Sequence, residues 1–180
     1  MIERILIAAI DKDGGIGKDG YMPWHYPEDL KMFMKLTIGS TVVMGRKTFD
    51  GMFDRGRAPL KNRKNIIITS QAATYQSRLE GKYSTAQLDF TTDISCANLD
   101  LDGKVFYCGG ADIYRQSIEL ADIIYLTRFA ESYNCDTFFP AATQSSITEF
   151  IPHIPPHLTL SSTTEIPAEK SFVLQTYTRK

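Results

Sequence analysis

The side chain best placed for proton chemistry in this sequence is Asp29, in the first turn of a predicted helix. Pro27 suits a first helical position, and an apolar stripe follows it. Asp29 and Phe33 share a face because they lie four residues apart, so the carboxylate points to the surface that the aromatic ring lines. Met22 and Trp24 bring bulky groups to the helix start, which predicts partial desolvation and a raised pKa for Asp29. Such an acid can bind a cationic heterocycle or relay a proton, whereas the alternative is a plain helix cap.

Two glycine-containing turns between a strand and a helix are candidate phosphate sites. Residues 107–114 read Tyr-Cys-Gly-Gly-Ala-Asp-Ile-Tyr, and residues 44–48 read Met-Gly-Arg-Lys-Thr. Each turn bares backbone N–H groups at a helix start, and the second adds two cations and a hydroxyl. If both turns end neighbouring strands, they can hold a diphosphate between them, with Arg46 and Lys47 near a further phosphate. The alternative for each glycine alone is that the turn needs it for steric reasons only.

The glycines before the predicted helix have a different interpretation. Gly15-Ile-Gly17-Lys-Asp-Gly20 matches a dinucleotide-binding fingerprint after the first strand, but the fingerprint must open a helix and this one runs into Tyr21-Met22-Pro23. The stretch from Lys35 to Ser40, where an acidic partner for ribose is expected, holds no acid. We therefore interpret these glycines as hinges of a mobile loop that closes over a ligand.

Composition and charge exclude broad classes of function. The chain has 180 residues, 43% of them hydrophobic, enough to build one core, so residues 1–180 are expected to form one domain. A formal net charge of -1 and the lack of a basic stripe argue against nucleic-acid binding. The apolar run from Ile5 to Ile10 is too short to span a membrane and predicts a buried first strand rather than a signal peptide.

The cysteines and histidines predict no metal site. Cys96, Cys108 and Cys135 are odd in number and widely spaced, which predicts reduced thiols in a cytoplasmic protein. His153 and His157 have helical spacing, yet the two prolines between them forbid the helix that a paired site would need.

Strand-like and helix-like segments alternate along most of the chain. Short β-branched runs predict strands buried on both faces at Arg4 to Ile10, Thr41 to Met44, Asn65 to Thr69 and Lys104 to Tyr107. Helices are predicted at Pro27 to Leu36, Lys47 to Met52, Thr85 to Ala97 and Ala111 to Leu120. This βαβα order predicts an α/β protein with a parallel sheet. Strand patterns without intervening helices predict antiparallel pairs at one edge, at Ile123 to Phe129, Leu158 to Thr164 and Phe172 to Thr178.

Taken in order, these segments resemble the dihydrofolate reductase family. The motifs that carry the resemblance are Ile7-Ala8-Ala9, Ile16-Gly17, Met22-Pro23-Trp24, Pro27-Glu28-Asp29-Leu30 with Phe33, Met44-Gly45-Arg46-Lys47-Thr48-Phe49, Arg63-Lys64-Asn65, Gly109-Gly110, Tyr114, Leu126-Thr127 and Asp136-Thr137. They cover nearly the whole chain at nearly the family's spacing, which makes their combination highly specific. The resemblance implies a single-domain, eight-stranded mixed sheet, mostly parallel and flanked by about four helices. It also implies NADPH-dependent reduction of 7,8-dihydrofolate to 5,6,7,8-tetrahydrofolate.

The resemblance implies roles for the residues of a substrate site. Asp29 would hydrogen-bond the 2-amino group and N3 of the pterin and favour protonation of N5, while hydride from the nicotinamide reaches C6. Thr127 would bond this carboxylate, and Trp24 would hold an ordered water beside it. Arg63 would pair with the glutamate α-carboxylate in a bidentate fork. The pocket walls would be formed by Ile7, Leu30, Phe33, Leu60 and Cys108.

A second set of residues would bind NADPH. Main-chain groups of Ala9 and Ile16 would meet the carboxamide, Gly17 would also contact the cofactor, and Tyr114 would lie beside the nicotinamide. The diphosphate would face Gly45, Thr48, Gly109, Gly110 and Ala111. The 2′-phosphate would be surrounded by Arg46, Lys47, Thr69 and Ser70. The loop from Gly14 to Trp24 would be the lid that excludes water.

Departures from the family pattern leave alternatives open. The segment from Met52 to Arg57 makes the chain longer than typical bacterial members between Thr48 and Arg63, so Arg55 or Arg57 could compete for the glutamate tail. Cys108 replaces a branched aliphatic residue and is expected to act as a small hydrophobic wall residue. We expect a monomer that binds dihydrofolate and antifolate inhibitors. The alternative functions are a riboflavin-pathway pyrimidine reductase of the same fold and a non-catalytic pterin or nucleotide binder.

Overall fold

A computed structural model of the chain describes residues 2–79, 81–84, 86–96, 101–142 and 150–180. Its centre is an eight-stranded mixed sheet. The strands in chain order are β1 (Glu3–Ile10), β3 (Thr41–Gly45), β4 (Lys64–Ile68), β5 (Leu88–Thr91), β6 (Lys104–Tyr107), β7 (Ile123–Arg128), β9 (Leu158–Ile166) and β10 (Phe172–Arg179). A separate two-stranded ribbon pairs β2 (Gly15–Gly17) with β8 (Thr137–Phe138).

The strand order across the large sheet is β5-β4-β3-β6-β1-β7-β10-β9. Every pairing from β5 to β7 is parallel, and β10 pairs antiparallel with both β7 and β9. The predicted mixed sheet with an antiparallel C-terminal edge is therefore confirmed.

Strand β1 lies in the middle of the sheet and is buried on both faces. Ile5 and Ile7 belong to the core cluster on one face, and Leu6 and Ile10 belong to the cluster on the other. Because successive side chains of a strand point to opposite faces, a strand covered on both sides needs apolar residues throughout. This is why β1 reads as one continuous apolar run.

Four α-helices flank the sheet in the part of the chain that the structure describes. They are α1 (Pro27–Thr37), α2 (Arg46–Phe53), α3 (Ala72–Leu79) and α4 (Ala111–Ser117), and a 3₁₀ turn at Ile118–Leu120 continues α4. The predicted positions of α1, α2 and α4 are confirmed. Across residues 2–79, 81–84, 86–96, 101–142 and 150–180, no helix combines the length and the apolar character needed to cross a membrane.

The helix predicted from Thr85 to Ala97 is wrong, and its two end residues lie outside the described residues. Residues 88–91 form strand β5, which pairs in parallel with β4. Leu88 and Phe90 are buried while the residue after each is partly exposed, so this short segment follows the two-residue period of a strand. The helix of this region is α3, which lies earlier and packs through Tyr75 and Leu79.

Candidate active site

The carboxylate of Asp29 lies against a buried hydroxyl from the middle of the sheet. Thr127 Oγ1 donates a hydrogen bond of 2.7 Å to Asp29 Oδ1. Thr127 is 2% exposed and sits on β7, where it is in register with Ala9 of β1. Burial raises the pKa of Asp29, and the hydrogen bond from Thr127 opposes part of that rise. The predicted desolvated acid is therefore present at the predicted place.

The first turn of helix α1 carries Asp29. Pro27 opens the helix, and Glu28 and Asp29 lie in its first turn, where the N–H groups of the helix start favour negative charge. Phe33 packs against the core cluster that contains Ile7, which seats the helix on the sheet. Leu30 is 47% exposed and does not pack in the core cluster that contains Ile7.

Trp24 packs against aromatic neighbours behind the start of α1. Its ring lies 5.2 Å from that of Phe129 and 5.4 Å from that of Tyr133, both edge-on. Ala9 packs against the same cluster. Met22 is 62% exposed, so the expectation that it helps to desolvate Asp29 is wrong. The chain between Met22 and Trp24 thus turns from solvent toward the end of β1.

The loop from Gly14 to Trp24, which we call the lid, is held by hydrogen bonds at two places. Asp136 accepts a hydrogen bond of 2.8 Å from the backbone of Asp19, and the Asp136 N–H donates to the carbonyl of Gly17. Asp11, which is 1% exposed, accepts bonds from the backbone N–H groups of Gly15 and Tyr133. The lid is therefore held in one position by two carboxylates.

Sequence reasoning assigned no role to Asp11, and Asp136 entered only as part of a family motif. The role of Asp11 could have been predicted, because an Asp that directly follows a buried strand and precedes glycines typically accepts hydrogen bonds from backbone N–H groups a few residues later in the chain. For Asp136 the sequence offers no comparable signal, since its partner Asp19 lies 117 residues away.

Arg63 lies at the C-terminal end of α1. Its Nε donates to Thr37 Oγ1 at 2.9 Å, and its two terminal nitrogens donate to the carbonyls of Lys61 and Met34 at 2.7 and 3.1 Å. Burial lowers the pKa of this guanidinium, which nevertheless stays charged because the ordinary value is so high. Of the two competing arginines, Arg55 lies over the ring of Tyr21.

The predicted wall residues come together on one face of the sheet. Ile7 belongs to a core cluster against which Phe33, Leu60 and Cys108 pack. The thiol of Cys108 donates to the carbonyl of Phe106 at 3.3 Å, and burial raises its pKa to about 12. At neutral pH the thiol is therefore protonated and serves as a small wall group.

The two glycine turns that were predicted to receive phosphate lie side by side. Their strands β3 and β6 are neighbours, and the backbone N–H of Gly45 donates to the carbonyl of Gly109 at 2.8 Å. A Cβ on Gly110 would lie 3.4 Å from Thr48 Oγ1. In the part of the chain that the structure describes, no side chain caps α2 or α4, so the N–H groups of both first turns lack a capping partner. The two turns thus present neighbouring helix starts at one edge of the sheet.

Gly109 is the position where glycine is required. Its φ is +103°, and a Cβ there would lie 3.0 Å from the hydroxyl of Tyr114. That hydroxyl is buried and donates to the carbonyl of Ile7 at 3.0 Å. Tyr114 therefore joins α4 to β1 directly beneath the turn. Ile16 of the lid packs against the core cluster that contains Tyr114.

The residues predicted to bind a 2′-phosphate lie where α2 begins and β4 ends. Lys47 and Ser70 are exposed, while Thr69 is buried and its Oγ1 accepts a bond from the N–H of Gln71 at 3.1 Å. Arg46 has 40% of its side chain exposed and already pairs with Asp50 at 3.1 Å.

The partners of Arg46 were not predicted. Asp50 also accepts a bond of 2.7 Å from the hydroxyl of Tyr75, on α3. The spacing of Arg46 and Asp50 along α2 was available as a signal, whereas Tyr75 was not, because the helix that carries it was placed elsewhere. Among the described residues, no three His, Cys, Asp or Glu side chains cluster in a way that would hold a metal ion.

Comparisons with known proteins show which sequences and structures this chain is similar to. A family model described as "Dihydrofolate reductase" matches residues 3–151. The dihydrofolate reductase of Bacillus subtilis (strain 168) is 38% identical over 140 residues, which cover 78% of this chain and 77% of that protein. The enzyme of the same name from Haemophilus influenzae is 35% identical over 135 residues, which cover 75% of this chain and 77% of that protein. A solved structure of dihydrofolate reductase from Enterococcus faecalis, complexed with NADP(H) and RAB-propyl, has a TM-score of 0.75 at 28% identity and covers 99% of this chain and 96% of that one.

Proposed function

This chain belongs to the dihydrofolate reductase family and reduces 7,8-dihydrofolate to 5,6,7,8-tetrahydrofolate with NADPH, and we propose that Asp29 handles the proton in this reaction. The observation that carries the proposal is the bond from buried Thr127 to the Asp29 carboxylate, whose pKa is raised by burial. Bound NADPH supplies the hydride that reaches C6 of the pterin.

Asp29 binds the pterin through the edge that carries the 2-amino group and N3. Asp29 Oδ1 accepts one bond from Thr127 and keeps a second lone pair, and Oδ2 makes no hydrogen bond to any of the described residues, so both oxygens can accept from the ligand. A desolvated carboxylate interacts strongly with a protonated heterocycle, because little water competes for either group. Asp29 thereby favours protonation of N5. We assign Trp24 the role of holding an ordered water beside this carboxylate, which is supported by the fixed packing of its ring on Phe129 and Tyr133.

Arg63 binds the α-carboxylate of the glutamate tail. Three of its donors are engaged by the protein, and this geometry holds the guanidinium plane at the end of α1. A fixed guanidinium is suited to bidentate binding of a carboxylate. The benzoyl group lies between Leu30 and the wall formed by Ile7, Phe33, Leu60 and Cys108.

The nucleotide is bound along the opposite rim of the same cleft. The diphosphate lies against Gly45 and Gly110 and meets N–H groups in the first turns of α2 and α4, at Thr48 and at Ala111. Arg46, Lys47, Thr69 and Ser70 surround the 2′-phosphate. Ala9, Ile16, Gly17 and Tyr114 line the nicotinamide end.

The direct test is an activity assay on purified protein. We expect rapid loss of NADPH absorbance on mixing with 7,8-dihydrofolate, a slower rate with NADH, and none without folate. Tight NADPH binding with no turnover on dihydrofolate would contradict the proposal and would favour the riboflavin-type reductase or a non-catalytic binder.

Thr127→Val is expected to shift the pH dependence of the reaction. The bond from Thr127 lowers the pKa of Asp29, so its loss raises that pKa further and moves the Asp29 limb of the rate profile to higher pH. The profile of kcat/KM against pH measures this shift, and Thr127→Ser, which keeps the hydroxyl, serves as the control. An unshifted profile in Thr127→Val would show that the bond does not tune Asp29.

We also propose that residues 1–180 act as a monomeric, cytoplasmic single domain that binds antifolate inhibitors in the folate cleft. The three free cysteines support a reducing compartment. The antifolate expectation is supported by the shared cleft architecture, since inhibitors of this class compete for the pterin position.

A further inference from the structure

The lid touches the opposite rim of the cleft through one aromatic ring. The guanidinium carbon of Arg55 lies 3.5 Å from the centroid of the Tyr21 ring, which is a cation–π distance. Tyr21 belongs to the lid, and Arg55 belongs to the turn that follows α2. This contact therefore joins the lid to the segment that follows α2.

A second contact brings the same two segments together. Gly51 of α2 lies so close to the lid that a Cβ on it would be 3.4 Å from the carbonyl oxygen of Gly20 and from Cε1 of Tyr21. A Cβ at that distance would make an ordinary van der Waals contact, so the lid lies within reach of the surface of α2 at this point. Arg55 then covers the ring, which is 40% exposed.

The turn that carries Arg55 is well defined. The backbone N–H groups of Arg55 and Arg57 both donate to the carbonyl of Met52, and that of Gly56 donates to Phe53. Among the ion pairs of the described residues none involves Arg55, and its guanidinium lies over the Tyr21 ring. This turn lies in the segment from Met52 to Arg57 that lengthens the chain relative to typical bacterial members of the family.

We propose that Arg55 is a positioning residue that holds the lid closed through Tyr21 and so slows the exchange of NADPH. The inference rests on the proposed function, in which the lid covers the nicotinamide end of the site. Asp11 and Asp136 hold the lid at Gly15 and Asp19, and Arg55 holds it at Tyr21, so the contact with Arg55 is one of three that restrain its opening.

The test compares two arginines of the same turn. Arg55→Gln is expected to raise the NADPH dissociation rate by about two- to fivefold, the range of an exposed cation–π contact, while Arg57→Gln leaves it unchanged. In the ligand-free protein, amide hydrogen exchange of residues 14–24 is expected to speed up in Arg55→Gln only. The rate of a single turnover with both ligands bound is expected to stay at the parent value.

Variants of Tyr21 distinguish the contribution of its aromatic ring from that of its hydroxyl group. Tyr21→Phe is expected to keep the parent rates because the ring face remains, and Tyr21→Leu is expected to match Arg55→Gln. The double variant Arg55→Gln with Tyr21→Leu should be no faster than either single variant, as expected for two partners of one contact.

The inference would be overturned if Arg55→Gln and Arg57→Gln had the same NADPH dissociation rate and the same amide exchange in residues 14–24. It would also be overturned if the effects of Arg55→Gln and Tyr21→Leu added up in the double variant. Faster lid exchange without faster NADPH dissociation would overturn the link to the nucleotide. A parent protein that does not bind NADPH would overturn the proposed function instead, while the exchange comparison on the ligand-free protein would still decide whether Arg55 holds the lid.

Discussion

Asp29→Asn is expected to lower kcat/KM for dihydrofolate at neutral pH by about 10²- to 10⁴-fold, the range for loss of a positioned acid or base. An amide can still accept the bond from Thr127, but it carries no charge to stabilise a protonated pterin. The loss should shrink as the pH falls, because an increasing share of the substrate then arrives already protonated. Initial rates of NADPH oxidation across pH measure both effects, with NADPH binding expected to stay at the parent value.

The same substitution is expected to stabilise the fold at neutral pH. Burial raises the folded-state pKa of Asp29 above its ordinary value of 3.8, so the protonated form is the one that the fold prefers. A carboxyl group of this kind contributes its full stability below the unfolded pKa and loses it as the pH rises through the folded pKa. Above the unfolded pKa the buried carboxyl group therefore costs stability relative to acid conditions, and Asn removes that cost. Thermal unfolding should show a higher Tm for Asp29→Asn at pH 7 and a difference that vanishes in acid.

Glu28→Gln is the matched control for Asp29→Asn. Glu28 is the neighbouring acid in the same helical turn and lines a surface cavity together with Trp24 and Lys170. It should retain nearly parental kcat/KM at every pH. An Asp29→Asn variant as active as the parent at neutral pH would remove Asp29 from the mechanism.

Arg63→Leu is expected to raise KM for dihydrofolate by about 30- to 1,000-fold, which corresponds to about 2–4 kcal/mol for a hydrogen-bonded carboxylate pair left without one partner. The effect should depend on the tail of the substrate. A dihydropterin that lacks glutamate gives Arg63 nothing to bind, so its KM should change by no more than about twofold. Steady-state kinetics with both substrates measure the difference, and kcat for dihydrofolate should fall much less than kcat/KM.

Two further variants serve as controls for the effect of Arg63→Leu on KM. Arg63→Lys keeps the charge but loses the fork, so it should lie between parent and Arg63→Leu. Arg57→Leu removes an exposed arginine from the same rim and should leave both KM values unchanged. Equal losses for the two substrates in Arg63→Leu would mean that the variant disturbs α1, through its bonds to Thr37 and Met34, and that the tail is held elsewhere.

Local patterns were sufficient for the elements that end at the site. Helix α1 begins at Pro27 as predicted, because proline, two early acids and an apolar stripe all agree at that point. The buried strands were recognised from continuous β-branched runs, and β6 matches its predicted bounds from Lys104 to Tyr107. The joint position of the two glycine turns also followed from the sequence, since parallel neighbouring strands end at the same edge.

Patterns failed where a segment was short or weakly periodic. Strand β5 has four residues, and its pairing with β4 decides its conformation, so the local preference read from Thr85 to Ala97 pointed to a helix. Likewise, the ribbon of β2 and β8 joins segments that lie more than a hundred residues apart, and three- and two-residue strands carry no period of their own.

The sequence by itself determined the chemical groups of the site: one acid on α1, one arginine before β4 and two glycine turns that expose backbone N–H groups. Residue type, helix spacing and strand order are local properties, and they sufficed for these. The family resemblance already implied the bond between Thr127 and Asp29, which the structure shows at 2.7 Å. Tertiary structure alone decided that Asp136 and Arg55 restrain the lid and that Thr37 orients Arg63. Each of these contacts joins residues from different elements, and their distances depend on how the chain packs around the sheet, which no local pattern contains.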